Sequence, residues 1–242
     1  MRYAILADIH SNLSAFKAVI DDLNSRGGFQ RIWCLGDVVG YGPEPHECIR
    51  LLNEYDNLCV AGNHDWACIG KLSNSIFNPI AAEACEWTGQ QLNDVEINYL
   101  ATLPEMITDG DFTLVHGSPR NPLTEYLFSD IDAEQNLAYF DTPYCLIGHS
   151  HVPMIFEKND TVIFTRLMEG VPVQLGKNRL IINPGGVGQP RDNDPRAAYA
   201  VYDSDSGTIE HFRVEYDINL TQEKMRQAGL PETLITRLDY GR

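Results

Sequence analysis

The spacing of hydrophobic and polar positions changes character along the chain. "RYAIL" is a short apolar run, and Leu13, Phe16, Val19, Ile20 and Leu23 then recur at helical spacing as far as Gly27 and Gly28. "RIWCLGD" repeats the strand pattern, "VVGYGPEP" is a Gly/Pro loop, and "HECIRLLNEY" is helix-like again. "NLCVAGNHD" makes a third strand ending in a polar turn. This β-α-β-α-β order predicts a mostly parallel sheet with helices packed on it. Residues of about 79–101, with Ala81, Ala82, Cys85, Leu92 and Leu100 among polar neighbours, are expected to be helical, and 66–110 is a candidate helical insertion. "FTLVHGSP" and "YCLIGHSH" return to strand. After Pro153, β-branched residues with Asn-Asp and Ser-Gly turns predict antiparallel strands, and "NLTQEKMRQAGL" a last helix stopped at Gly229 and Pro231. The fold class is therefore α/β, with two packed mixed sheets flanked by helices. No repeat or linker divides residues 1–242, which are expected to form one domain.

The ends of the strands concentrate the polar residues. The first run ends in Asp8 and His10, the second in Asp37, the third in Asn63, His64 and Asp65. The next ends in His116 and the last in His149 and His151, so five of the seven histidines fall at such ends. In open α/β sheets ligands bind beyond the carboxyl ends of strands. Side chains two apart on an extended backbone point the same way, so Asp8 with His10, and His149 with His151, are each expected to converge on one point. Carboxylate, imidazole and amide oxygen together suit a borderline divalent metal. Asp8, His10, Asp37, Asn63, His116, His149 and His151 are too many ligands for one ion and about right for two ions sharing a carboxylate.

Composition narrows the partners. Hydrophobic residues make up 43% and charged residues 21% of the 242, as in ordinary globular proteins. The net charge of −16 argues against extended nucleic acid and against anionic membrane surfaces, since both need basic surface. It leaves a small phosphorylated substrate open, because bound cations supply a local positive field. No run of about 18 apolar residues predicts a membrane span. The N-terminus is too short in its apolar part for a signal peptide, so a cytoplasmic location is expected. The six cysteines form no C-x-x-C pair and are expected to be buried and reduced.

Taken together, Asp8-Ile9-His10, Gly36-Asp37, Gly62-Asn63-His64-Asp65, His116 and Gly148-His149-Ser150-His151 resemble the signature of the calcineurin-like metallophosphoesterases. The stretch "INPGGVGQPRDNDPRAAYAVYD" also looks like the tail of small bacterial members. The resemblance implies a four-layer α-β-β-α sandwich and metal-dependent hydrolysis of phosphate esters. It places Asp8, His10 and His151 on one metal and Asn63, His116 and His149 on the other, with Asp37 bridging. His64 is then not a ligand but a catalytic residue facing the substrate. Two divalent ions (manganese favoured among manganese, iron, zinc and nickel) about 3.5–4 Å apart would generate a hydroxide and clamp an in-line displacement. A phosphodiesterase or phosphatase acting on a nucleotide or other small phosphorylated substrate follows. The alternatives are a dinucleoside-polyphosphate hydrolase, a Ser/Thr-type protein phosphatase, or a non-catalytic scaffold of the same fold.

Where the protein phosphatase branch has G-D-x-x-D-R-G, this chain has "GDVVGYG", with Gly40 and Tyr41 in place of the acid and the arginine. That removes a phosphate-binding group and leaves open what orients His64, with Asp65 as a neighbour. Arg120 and Arg191 lie near the motifs and are candidate phosphate ligands. Tyr41, Trp66 and Tyr126 are more simply read as packing residues than as stacking platforms for a nucleobase. Asn12 is read as a helix N-cap. His46 and His211 sit outside every motif.

Overall fold

The computed structural model describes residues 1–242. Its first sheet contains β1 (Arg2–Leu6), β2 (Arg31–Cys34), β3 (Asn57–Cys59), β9 (Val173–Gln174), β11 (Ala197–Asp203) and β12 (Thr208–Val214), in the order β3-β2-β1-β11-β12-β9. β1, β2 and β3 are parallel and the rest antiparallel. The second sheet contains β4 (Met106–Asp109), β5 (Phe112–Val115), β6 (Tyr144–Leu146), β7 (Met154–Lys158), β8 (Val162–Arg166) and β10 (Arg179–Asn183), in the order β4-β5-β6-β10-β7-β8. Here β5, β6 and β10 are parallel.

Side-chain alternation builds the layers. Ala4 and Leu6 face Phe16, Val19 and Leu23 of α1 (Leu13–Ser25), whereas Ile5 and Ala7 join Phe112, Leu114, Leu146 and Ile182 between the sheets. On the second sheet Val115, Cys145 and Ile181 face outward, onto Ala133 of α6 (Asp130–Asn136). Helix, sheet, sheet, helix is the four-layer order the signature implied. α2 (Pro45–Asn53) joins α1 on the first sheet through Cys48, Ile49 and Leu52.

Residues 79–101 are helical, as expected, in two helices, α4 (Pro79–Gln91) and α5 (Asp94–Thr102). The break lies at Asn93, whose side chain accepts from the N–H groups of Val95 and Glu96 while Glu96 accepts from the N–H of Asn93. This reciprocal cap restarts the helix in spite of a continuous helical pattern. With α3 (Asn63–Cys68), these helices fill the interval between β3 and β4 and add Trp66, Leu92, Leu100 and Leu103 to the helical side of the first sheet.

The last predicted helix is α7 (Ile218–Gln227), and Gly229 beyond its end takes φ +73°. The chain then makes α8 (Glu232–Thr236) and a 3-10 turn at Arg237–Tyr240. Leu230, Leu234, Ile235 and Leu238 of this tail pack on Tyr41, Ala81, Ala84 and Met225, which carries the C-terminus to the strand ends. No helix is long and apolar enough to cross a membrane.

Candidate metal centre

The strands stop before the chemistry begins. β1 ends at Leu6 and β6 at Leu146, and the backbone beyond them is not extended. Asp8 (φ +57°), His10 (+49°), Asp37 (+54°), His149 (+64°) and His151 (+58°) all occupy the left-handed region. Asp8 and His10 do converge, but by looped backbone and not by two-residue alternation along a strand, whereas His149 and His151 part, one to each of two buried groups. Such conformations cost of the order of 1–3 kcal/mol each for non-glycine residues. Interlocking loops hold them in place. Asp8 N–H donates to Gly36 O (3.1 Å), His10 N–H to Asp37 O (2.9 Å), Gly148 N–H to His116 O (2.8 Å) and Gly188 N–H to Asp8 O (2.9 Å).

Two buried groups result, Asp8 with His10 and His151, and Asp37 with His116 and His149. His10 and His151 bring their Nε2 atoms within 3.3 Å of each other, and His151 Nε2 lies 3.3 Å from Asp8 Oδ1. In the second group His116 Nε2 lies 2.8 Å from Asn63 Oδ1 and 3.1 Å from His149 Nδ1. Asp37 joins the two, since its Oδ2 is 3.6 Å from His10 Nε2 and 3.3 Å from His116 Nε2. Three of the imidazoles are already oriented by the backbone. His10 Nδ1 donates to Val39 O (3.2 Å), His116 Nδ1 to Leu35 O (2.8 Å) and His151 Nδ1 to Gln189 O (2.5 Å). Each commitment leaves Nε2 as a lone pair aimed inward, the usual arrangement behind a ligating histidine.

These residues fit a pair of cations. Asp8 Oδ2, Asp37 Oδ2 and His149 Nε2 are buried without a hydrogen-bond partner, and the facing lone pairs of His10 and His151 would repel unless a positive charge lay between them. Burial pushes the Asp8 carboxyl up to about 7 against the pull of His116. Asp37 is buried as well, yet His116, His64 and His10 hold its carboxyl below the usual range. Burial drives His10, His149 and His151 down, toward the neutral form that ligates.

His64 follows Asn63 on α3, and its N–H donates to Asp37 Oδ1 (2.8 Å). Asp65 does not orient its ring. The Asp65 carboxylate accepts from the N–H groups of Asp37 (2.8 Å), Val39 (3.1 Å) and Gly62 (2.9 Å), stitching the second and third loops together. Gly40 lies against the ring, where a β-carbon would fall 2.8 Å from His64 Nδ1. The polar neighbour of Nδ1 is Cys85 of α4, with Sγ at 3.1 Å. The six cysteines are free and buried, as expected, but this one touches the site.

A cavity of about 260 Å³ opens over both groups, lined by His64, Tyr41, Phe77, Tyr126, Arg191 and Arg237 among others. Tyr126 stacks on His149 at 3.8 Å between ring centroids. Arg191 stands over the Tyr41 ring at 5.8 Å and donates to Gln189 Oε1 (3.0 Å), and its Nε has no partner. Arg191 donates to no carboxylate, and Arg237 Nε donates to the main-chain oxygen of Arg242; burial and the proximity of Arg191 lower Arg237 to about 10. Arg237 carried no motif in the sequence and reaches the cavity only because the C-terminal tail folds back.

Arg120, a candidate phosphate ligand, is instead bonded to Glu125 and to Gln135 Oε1 (2.6 Å), outside the cavity. Trp66 is a packing residue, donating to Leu100 O (3.2 Å). Asn12 caps α1 by accepting from Ala15 N–H (3.1 Å). His46 pairs with Glu96, and His211 is buried without a partner.

This is the arrangement of a dimetal phosphoester site, and comparisons with known proteins agree. The calcineurin-like phosphoesterase superfamily domain matches residues 1–207, and the chain belongs to that family. It is a metal-dependent phosphoester hydrolase. A solved metallophosphoesterase from Sphaerobacter thermophilus is 47% identical, with a TM-score of 0.91 over 100% of this chain and 99% of that one. An uncharacterised protein of Methanocaldococcus jannaschii is 38% identical over 99% of this chain and 98% of its own length. A symmetrical bis(5'-nucleosyl)-tetraphosphatase of Pseudomonas putida is 31% identical over 37% of this chain, and the match spans 35% of that relative's length.

Proposed function

We propose that the protein hydrolyses a phosphate ester or anhydride of a small molecule of about nucleotide size. The observation that carries this reading is the pair Arg191 and Arg237, two cavity-lining guanidiniums beside the metal groups whose acceptors are Gln189 Oε1 and the main-chain oxygen of Arg242, and not the side chain of an aspartate or glutamate. Such a pair is suited to phosphate oxygens that the cations do not hold. Tyr41, Asn78, Ala81 and Arg237 also border a second space of about 550 Å³ that leads away over the C-terminal tail, which gives room for a substituent beyond the phosphate.

Divalent cations in the two groups, manganese favoured, would supply charge to the developing transition state and acidify water. Asp8, His10 and His151 would hold one, and Asn63, His116 and His149 the other, with Asp37 shared. His64 would donate its proton to the departing oxygen from the cavity wall. The dinucleoside-polyphosphate reading gains from Arg237, which supplies a cation beside Tyr41 where the sequence pattern had lost one.

The test is hydrolysis of bis-p-nitrophenyl phosphate, p-nitrophenyl phosphate and diadenosine tetraphosphate by protein stripped of metal and then supplied with manganese. Metal-dependent turnover of at least one substrate is expected, and its absence with two ions bound per chain would sink the reading. Arg191→Ala and Arg237→Ala are each expected to raise KM roughly 10–100-fold, the value of a charge-assisted hydrogen bond of about 1.5–3 kcal/mol. An unchanged KM in both variants would remove the phosphate-clamp role.

A further inference from the structure

We propose that Cys85 is the positioning residue for His64, its sulfur holding Nδ1 so that Nε2 presents the transferable proton to the cavity. The proposal rests on the reading of His64 as the proton donor and adds what holds it. The ring is otherwise enclosed by groups that offer Nδ1 no polar contact. His10 crosses it edge-on at 4.9 Å, and Tyr41 and Phe77 lie at 4.3 and 4.6 Å between centroids. Asp65 has both oxygens committed to backbone N–H groups. Position 40 offers no alternative, because any side chain there would run into the imidazole. Cys85 Sγ, at 3.1 Å from Nδ1, is what remains.

A second feature shows that α4 is built to deliver this sulfur. Gly89 lies one turn beyond Cys85, and a β-carbon there would fall 2.3 Å from the carbonyl oxygen of Cys68. Only glycine lets α4 pack backbone to backbone against the end of α3, the helix that carries His64. Cys85 is not among the residues lining the cavity and belongs to neither metal group, so it acts through the ring and not on the substrate.

The chemistry balances in both charge arrangements of the pair. A thiol S–H donating to Nδ1, or an Nδ1–H donating to thiolate, leaves a proton on Nε2. That proton passes to the departing oxygen; the remaining one, already on Nδ1 or handed to it by the thiol as Nε2 deprotonates, ends on Nδ1, and the pair ends as neutral imidazole and thiolate. Water restores the lost proton. In this role the sulfur does what a carboxylate does behind other catalytic histidines.

The experiment compares a phenyl ester, whose leaving group needs protonation, with the corresponding p-nitrophenyl ester, in manganese-loaded wild type, His64→Ala, Cys85→Ala, Cys85→Ser and the double alanine variant. Cys85→Ala is expected to lower kcat on the phenyl ester on the order of 10-fold more than on the p-nitrophenyl ester, within the 10–100-fold range of lost support to a reacting group. Cys85→Ser, close in size and still a donor, is expected to recover part of that loss. In the His64→Ala background the cysteine change should add nothing. Equal losses on both esters, or losses that add to those of His64→Ala, would overturn the positioning role and mark Cys85 as packing. His64→Ala without a leaving-group effect would overturn the His64 reading itself, in an arm where Cys85 is untouched. Metal content per chain reports whether each variant is folded at the site. Should Cys85→Ala fail that check, the serine variant decides alone: a loss larger on the phenyl ester than on the p-nitrophenyl ester would support positioning, and equal losses or wild-type rates on both would refute it.

Discussion

Asp37→Asn is expected to lower turnover on the order of 10³-fold and to reduce the bound metal from two ions per chain to one or none. The substitution keeps the shape, and asparagine Oδ1 still accepts the His64 N–H that Asp37 Oδ1 accepts at 2.8 Å. What it removes is the charge on the one oxygen placed between His10 at 3.6 Å and His116 at 3.3 Å. No other carboxylate spans the two groups, since Asp8 belongs to the His10–His151 side. Metal counting after gel filtration, together with thermal unfolding, checks this. At a hundredfold excess over Kd each wild-type site should add about 2.7 kcal/mol, roughly 5–10 °C for a chain of this size. The variant should lose most of that increment. Two ions bound per chain with unchanged turnover would show that Asp37 does not bridge.

How much of this was legible in the sequence depends on whether a residue announces itself locally. The seven ligand-type residues do, because each follows an apolar run and most sit beside a glycine, as Asp37 follows Gly36 and His149 follows Gly148. The alternation of Ala4 and Leu6 against Ile5 and Ala7 likewise betrays two buried faces, and hence two layers on either side of the first sheet. The backbone path was not legible. Left-handed Asp8, His10 and His151 are held by bonds between loops 27 to 180 residues apart, and no local pattern encodes them. Arg120 stood as a candidate phosphate ligand because it lies near a motif, whereas its partner Glu125, five residues on, has no motif of its own. Cys85 and Arg237 were invisible for the opposite reason. One is an ordinary apolar position on a helix and the other lies in a short tail, and only tertiary packing brings them to His64 and to Arg191.

Gly62→Ala should be among the most damaging single-methyl changes in the protein, and the one that strikes Asp37 directly. Gly62 has φ −97°, so any residue could adopt its conformation, and the reason for glycine is space. A β-carbon there would lie 2.0 Å from Asp37 Oδ1 and 2.3 Å from Asp37 N. Both atoms are fixed, the first by the His64 N–H and the second by the Asp65 carboxylate, so neither can yield without loosening the two loops together. Overpacking of this kind costs about 1–3 kcal/mol or more, and here the displaced atoms are those that join the metal groups. The expected result is a lowered thermal midpoint combined with metal affinity reduced at least about tenfold, as for lost support to a ligand. Gly176→Ala is the matched control, since a β-carbon there meets nothing within 4 Å, and its stability should stay within about 0.5 kcal/mol of wild type. If Gly62→Ala bound two ions with wild-type affinity, the close approach of the second and third loops would not be what sets Asp37 in place.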